Sequence, residues 1–168
     1  MIGAEIRAMQ RECIINFLAD QDFTGNVLDF GCGTAPYREI VEASGVWHGY
    51  NRGVYPGGSK EDIGPSEPLE QTWDVVLCTQ MLQYVPDVPR LLADFRACSK
   101  RLVLTVATNW PEVETEDLYR FTRTGMTSAL HKAGWKLKEA RQLGAVPFGD
   151  RERCALGYGF VCEGVVGT

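Results

Sequence analysis

The stretch Val27-Leu28-Asp29-Phe30-Gly31-Cys32-Gly33-Thr34-Ala35-Pro36-Tyr37 decides the fold. Its first four residues read as a short apolar strand that runs straight into a glycine-bearing turn. Pro36 suits the first turn of a helix, where its missing N–H has no partner to lose. A strand, a glycine turn and a helix in succession open a parallel α/β sheet. In such sheets ligands sit outside the carboxyl ends of the strands, beside the first strand, where the strand order reverses. Glycines at that turn let the backbone approach a ligand, and the N–H groups of the following helix face an anion. A tight turn that needs glycine only for its shape is the other reading of G-x-G.

Working outward, Ile2, Ile6, Met9, Cys13 and Phe17 recur on one face of an N-terminal helix contained within residues 1–22. After the glycine turn the helix continues from Tyr37 to Ala43. Val46 to Tyr50 form a second strand, and Gly53 to Pro68 a loop rich in Gly, Pro and Ser. Trp73 to Cys78 and Arg101 to Val106 read as buried strands around a helix from Pro89 to Cys98. A further helix, capped by Thr122 or Thr124, runs to Gly134. Trp135 to Leu143 and Ala155 to Val161 close the chain as strands joined only by a loop, so they pair antiparallel at one edge. Continuously apolar strands alternating with helices mean a mostly parallel sheet with helices on both faces. With no repeat or linker, residues 1–168 read as one domain.

Composition sets the outer bounds. A chain of 168 residues with 45% hydrophobic and 23% charged residues buries an ordinary globular core. Seventeen Lys and Arg against 22 Asp and Glu give a net charge of −5, which argues against binding built on phosphate neutralisation. No apolar run approaches the roughly 20 residues that span a membrane, and Glu5, Arg7, Arg11 and Glu12 break any secretory signal. The six cysteines include no C-x-x-C pair and only His48 and His131 could join them, so no metal is expected. Unpaired thiols in a chain with a normal core point to the reducing cytoplasm.

A dinucleotide fingerprint, G-x-G-x-x-G, fails at its third glycine, where Pro36 stands. What stands instead is D-x-G-x-G-x-A, Asp29 to Ala35. This turn resembles the first motif of the class I S-adenosylmethionine-dependent methyltransferases, hhDhGCGxG/A with h apolar. DVVLCTQMLQYVPD, Asp74 to Asp87, is similar to that superfamily's fourth-strand motif, DVVxxxxVLEHVxD. DLYRFTRTGMTSALHKAGWKL, Asp117 to Leu137, resembles the "yRFT…G…L…aGF" segment of the type 11 subgroup. The resemblance covers most of the chain and implies a Rossmann-like, seven-stranded, mostly parallel sheet with a C-terminal antiparallel hairpin.

The resemblance also implies S-adenosylmethionine as cofactor, S-adenosylhomocysteine as product, and a site for both. Gly31, Cys32 and Gly33 would pass under the methionine part, with Asp29 fixing the loop and facing the α-amino group. The acid that usually ends the second strand and takes the ribose hydroxyls is Asn51 here, so the charge-assisted part of that contact is lost. Cofactor affinity should therefore be modest unless Arg52 or Tyr55 compensates. Asp62 and Ile63 match the adenine contacts. Cys78 and Thr79 would line the methionine side, with core packing the alternative for Cys78. Where the superfamily has Glu-His after the fourth strand, Gln83-Tyr84 stands, so no histidine base is expected there.

Methyl transfer from a sulfonium is an in-line displacement for which the protein supplies orientation and desolvation. A general base is needed only when the nucleophile arrives protonated. Tyr84, Glu112, Glu114, Glu116 and Asp117 are the candidates, and for Tyr84 a place in the pocket wall is the alternative. The segment 107–121 reads as a substrate-side loop. In it Arg120 either grips an anionic acceptor or bridges to a neighbouring acid. His131 reads as structural, and His48 as either, with the structural reading favoured. With no separate substrate domain in the sequence, a small-molecule acceptor is expected, such as a sugar, glycan or secondary-metabolite precursor. Nucleic acid is disfavoured by the net charge and by Cys78-Thr79-Gln80-Met81, which is no Asn/Asp-Pro-Pro-Tyr/Phe tetrapeptide. The rival reading is a methyltransferase-like module that binds the cofactor and serves a partner subunit without catalysis.

Overall fold

The computed structural model describes residues 2–51, 67–108, 117–148 and 152–164. Helix α1 (Ile2–Ala19) leads into β1 (Gly25–Phe30), the short α2 (Arg38–Glu42) and β2 (Gly45–Tyr50). Then come β3 (Val75–Thr79), α3 (Val88–Cys98), β4 (Arg101–Ala107), α4 (Arg123–Lys132), β5 (Trp135–Phe148) and β6 (Glu152–Gly164). The sheet order is β2-β1-β3-β4-β6-β5. Strands β2, β1, β3 and β4 run parallel, and β6 is antiparallel to both β4 and β5. This is the expected Rossmann-like architecture with six described strands where the resemblance implies seven. The connection from β2 to β3 passes through residues 52–66, outside the described residues.

Every residue of β3 is buried, which is why it reads as an unbroken apolar run. Side-chain alternation splits the core into two layers. Val27, Val75, Leu77, Val103 and Val161 face Ile14, Phe17 and Leu18 of α1 and Val41 of α2. Leu28, Phe30, Val76, Cys78, Leu102 and Leu104 face Leu92 and Phe95 of α3 and Met126 and Leu130 of α4. Each such large side chain contributes about 1.5–3 kcal/mol by leaving water. Asp87 caps α3 by accepting from the Arg90 N–H, and Thr122 rather than Thr124 caps α4 by accepting from Gly125.

Three local expectations are corrected. The buried side of α1 is Gln10, Ile14, Phe17 and Leu18, which keeps Phe17 of the expected stripe and leaves Ile6, Met9 and Cys13 half-buried at its margin. Ile14, Phe17 and Leu18 enter the core layer from this side, and the Gln10 amide donates to Gln80 Oε1 at 3.3 Å. Helix α2 begins at Arg38 and is only five residues long, with Pro36 left in the preceding turn. Left-handed Ala35, at φ 55°, delays its start. The last two strands are longer than expected, 14 and 13 residues, and Pro147 lies inside β5. An edge strand accepts proline, since the lost N–H belongs to its unpaired side.

Candidate active site

The carboxyl ends of β1, β2 and β3 converge around the glycine turn. Gly31 and Cys32 both donate their N–H to the carbonyl of Tyr50 at the end of β2, at 2.8 and 3.1 Å. Ala35 N–H donates to Cys32 O at 2.8 Å. Gly31 at φ 79° and Gly33 at φ 55° occupy the left-handed region where a side chain is strained. A Cβ on Gly31 would run into the Met81 side chain, whereas one on Gly33 would meet no neighbour within 4 Å. Gly31 is therefore glycine for packing as well as for shape, and Gly33 is the position that opens outward. A five-residue α2 sums few peptide dipoles, so the anion-attracting helix end expected after the turn is weak.

Asp29, on β1, is 1% exposed. Its Oδ2 accepts from the Trp47 indole N–H at 3.0 Å, and its Oδ1 has no hydrogen-bond partner. Burial pushes the carboxyl up to about 6, and the indole hydrogen bond opposes that rise. Asn51, just past β2 and 4% exposed, leaves its Nδ2 unpaired. Gln83, 6% exposed, leaves Oε1 unpaired. Buried polar atoms without a partner are uncommon in native proteins, because each costs the desolvation of the group. Two acceptors and one donor of this kind lie on β1, just past β2 and in the turn that follows β3.

On the β3–β4 side the pattern is the reverse. Gln80, at φ 52°, donates its backbone N–H to Thr105 O at 3.0 Å and its amide to Thr105 Oγ1 at 3.2 Å. It accepts from Gln10 at Oε1, at 3.3 Å, and from Gln83 Nε2 at its carbonyl, at 2.6 Å. Thr79 is buried at the strand end beside it. Cys78 lies wholly inside the core, and burial raises its thiol far above the ordinary range. Tyr84 is half-buried in a single turn of 3-10 helix, Leu82–Tyr84.

The chain returns over these ends at residues 117–121. Leu118 N–H donates to Gln83 O, Phe121 N–H to Ala107 O, Thr108 Oγ1 to Phe121 O and Tyr119 OH to Pro86 O. Arg120 places its Nη1 on Asp117 Oδ1 and its Nη2 on Asp117 Oδ2, the latter at 2.6 Å, with the Asp117 side chain 2% exposed. Of the two readings of Arg120, a bridge to a neighbouring acid is thus the contact present. Arg52, Tyr55, Asp62, Ile63, Glu112, Glu114 and Glu116 lie outside the described residues. His48 meets Asn26 Oδ1 at 3.3 Å and the Trp73 ring at 5.1 Å, and His131 is exposed on α4.

Sequence reasoning missed Trp47, Gln10, Gln80 and Met81. Trp47 carries a readable signal, standing two residues before Gly49 and so on the same strand face. Gln10 and Gln80 carry none, because 70 residues separate them. Among the described residues no group of three or more His, Cys, Asp or Glu could hold a metal, and no helix is long and apolar enough to cross a membrane.

A family profile described as a methyltransferase domain matches residues 6–140. Among curated proteins none matches the sequence. The fold is similar to mitomycin 7-O-methyltransferase at 16% identity and TM-score 0.63, over 94% of this chain and 54% of that one. It is also similar to magnesium protoporphyrin IX methyltransferase from Synechocystis PCC 6803 with bound S-adenosylmethionine. There identity is 16%, TM-score 0.62, and coverage 94% of this chain and 80% of that one. A structure from Listeria monocytogenes described as an S-adenosylmethionine-dependent methyltransferase aligns at 14% identity and TM-score 0.67, over 94% of this chain and 99% of that one. This chain thus spans about half the length of the mitomycin enzyme and nearly all of the Listeria protein. By its profile match the chain belongs to the methyltransferase-domain family, and its fold is that of the S-adenosylmethionine-dependent methyltransferase structures it resembles.

Proposed function

We propose that the protein binds S-adenosylmethionine at the carboxyl ends of β1 and β2 and transfers its methyl group to a small-molecule acceptor. The observation that carries this reading is the pair of buried, unpaired polar atoms, Asp29 Oδ1 and Asn51 Nδ2, beside a left-handed glycine turn. A carboxylate oxygen fits an ammonium and an amide N–H fits a ribose hydroxyl, so the residues present match the cofactor's polar groups. When bound, the cofactor supplies an electrophilic methyl on sulfur. The chain's own residues bind, orient and exclude water. Asp29 holds the ammonium, Asn51 the ribose, and Gly31 to Gly33 admit the methionine part to the backbone. By the resemblance, Arg52 or Tyr55 supplements Asn51 at the ribose and Asp62 and Ile63 receive the adenine, all four outside the described residues.

Met81 and Tyr84 with the segment 117–121 form the acceptor side, and Leu118 and Tyr119 are its exposed apolar members. The small-molecule class is supported by the acceptors in the names of the mitomycin and protoporphyrin enzymes. Tyr84 is the general base where the acceptor arrives as a hydroxyl. Six free cysteines support a reducing, cytoplasmic setting.

Thermal shift with S-adenosylhomocysteine tests the binding half. At 100 times its Kd a ligand stabilises by about 2.7 kcal/mol, a shift of several degrees for this size. No shift at millimolar ligand sinks the reading. Incubation with methyl-labelled cofactor and a metabolite extract tests the transfer half. Binding without label transfer would leave the partner-module alternative standing.

A further inference from the structure

We propose that Trp47 is a positioning residue for cofactor binding: its indole N–H fixes Asp29 Oδ2, so that Oδ1 alone is presented to the cofactor's ammonium. The proposal rests on the binding half of the function proposed above. In the β1–β2 register Val27 lies beside Trp47 and Asp29 beside Gly49, so the indole reaches Asp29 diagonally on one face of the sheet. It can do so only because position 49 is glycine. A Cβ there would run into the Trp47 ring and come within 3.1 Å of Cys32 Sγ. Arg38 of α2 stacks its guanidinium over the indole, 4.9 Å from the centroid, while its Nε holds Glu42 at 2.8 Å. The ring is therefore fixed from the strand and from the helix, and its N–H has one target at 3.0 Å.

The consequence is chemical as well as geometric. Without the indole, a carboxylate that is 1% exposed would have no partner for either oxygen. Either rotamer flip would then be equivalent, and desolvation would favour the proton over the charge. The indole selects one oxygen for the interior, leaves the other for a cation, and opposes the loss of charge. Among the described residues, the other ionisable groups that feel Asp29 are Cys32 in the turn, Tyr37 ahead of α2 and Cys78 on β3. Burial raises Cys32 to about 11 and Tyr37 to about 12, and Cys78 rises further. Arg11 of α1 acts on Tyr37. Asp29 is therefore the group in this cluster that titrates between pH 5 and 7.

Trp47→Phe keeps a ring in place and removes only the donor. Calorimetry with S-adenosylhomocysteine across pH 5–8 should show affinity about fivefold weaker at neutral pH, the scale of one hydrogen bond. The midpoint of its pH dependence should move upward from near 6. A residue that merely packs would lower stability without moving that midpoint. Unchanged affinity and midpoint in a folded Trp47→Phe overturn the proposal while wild-type binding keeps the functional reading intact. A wild type that binds no S-adenosylhomocysteine at any pH overturns both. Should the variant not fold, the wild-type indole N–H resonance of Trp47 decides. It should titrate with a midpoint near 6 and stop titrating when S-adenosylhomocysteine saturates the protein. A resonance indifferent to both pH and ligand overturns the proposal.

Discussion

The rim of the sheet has two halves that treat polar groups in opposite ways. At the β1–β2 ends Asp29 Oδ1 and Asn51 Nδ2 are buried and unpaired. At the β3–β4 ends every polar atom of Gln80 is in use, tying α1, β4 and the turn through Gln83 together. A fully satisfied network rigidifies, whereas an unsatisfied buried group costs stability until something pairs with it. One half is therefore a wall, and the other, in the function proposed above, is the receptor, held at a cost in the free protein. Gln83 shares both behaviours, its Nε2 donating to the Gln80 carbonyl and its Oε1 buried without a partner.

Asp29→Asn gives the largest expected effect, and it separates the halves by sign. The Asp29 carboxyl sits at about 6 against an unfolded value of 3.8, so the native state holds a proton that the unfolded state has released between those limits. Stability from this group is present below the lower value and lost as pH rises through the upper one. A shift of this size corresponds to about 2–3 kcal/mol. The variant should be more stable than wild type above pH 6, and chemical denaturation as a function of pH checks it. Binding should change the other way. With Trp47 holding the amide oxygen, the substituted side chain would offer N–H to an ammonium. S-adenosylhomocysteine affinity should fall about tenfold to a hundredfold and lose its pH dependence. A variant less stable than wild type at pH 8, or one that binds equally well, would break the contrast.

Gln80→Ala tests the wall. The substitution leaves Gln10 Nε2 and Thr105 Oγ1 unpaired, and Thr105 is fully buried. Loss of about 2 kcal/mol in urea unfolding is expected. S-adenosylhomocysteine affinity should stay within about twofold, because this amide points into the scaffold. A selective loss of affinity with stability intact would move Gln80 into the receptor half.

The two halves also differ in how far the sequence exposes them. The glycine turn, the continuous apolar strands and Asn51 at a strand end are local patterns, and each is readable from a few neighbouring residues. Helix α1 is readable as a helix but not in its rotation. Its apolar spacing favours a face through Met9 and Cys13, whereas the buried face takes in a polar residue, Gln10, which is bonded to Gln80. Long-range amide pairs leave no periodic trace. The Trp47–Asp29 pair is intermediate, since strand alternation places Trp47 and Gly49 on one face, but only the β1–β2 register brings Asp29 within reach. The reach of β5 through Pro147 is hidden for a different reason, because proline counts against a strand until its edge position is known.

Asn51→Asp gives the smallest expected effect and sharpens the receptor half most finely. The substitution replaces an unpaired buried donor with a carboxylate, at a site 4% exposed and on the same rim as Asp29. Burial and the nearby like charge both raise such a carboxyl and lower the stability of the free protein at neutral pH. Against that, an ionised oxygen accepting from a ribose hydroxyl is stronger than an amide contact. The gain of about 1.4 kcal/mol corresponds to roughly tenfold tighter S-adenosylhomocysteine binding. The two effects are read separately, by melting the free protein and by calorimetry with the ligand. The variant should melt lower alone yet gain more degrees on saturation than wild type does. Because the new carboxyl must ionise to act, the advantage should shrink as pH falls towards 5. A variant that melts lower and binds no tighter at pH 8 would show that the ribose is held by other residues. Asn51 would then be a buried amide without a ligand role, and the receptor half would narrow to Asp29 and the glycine turn.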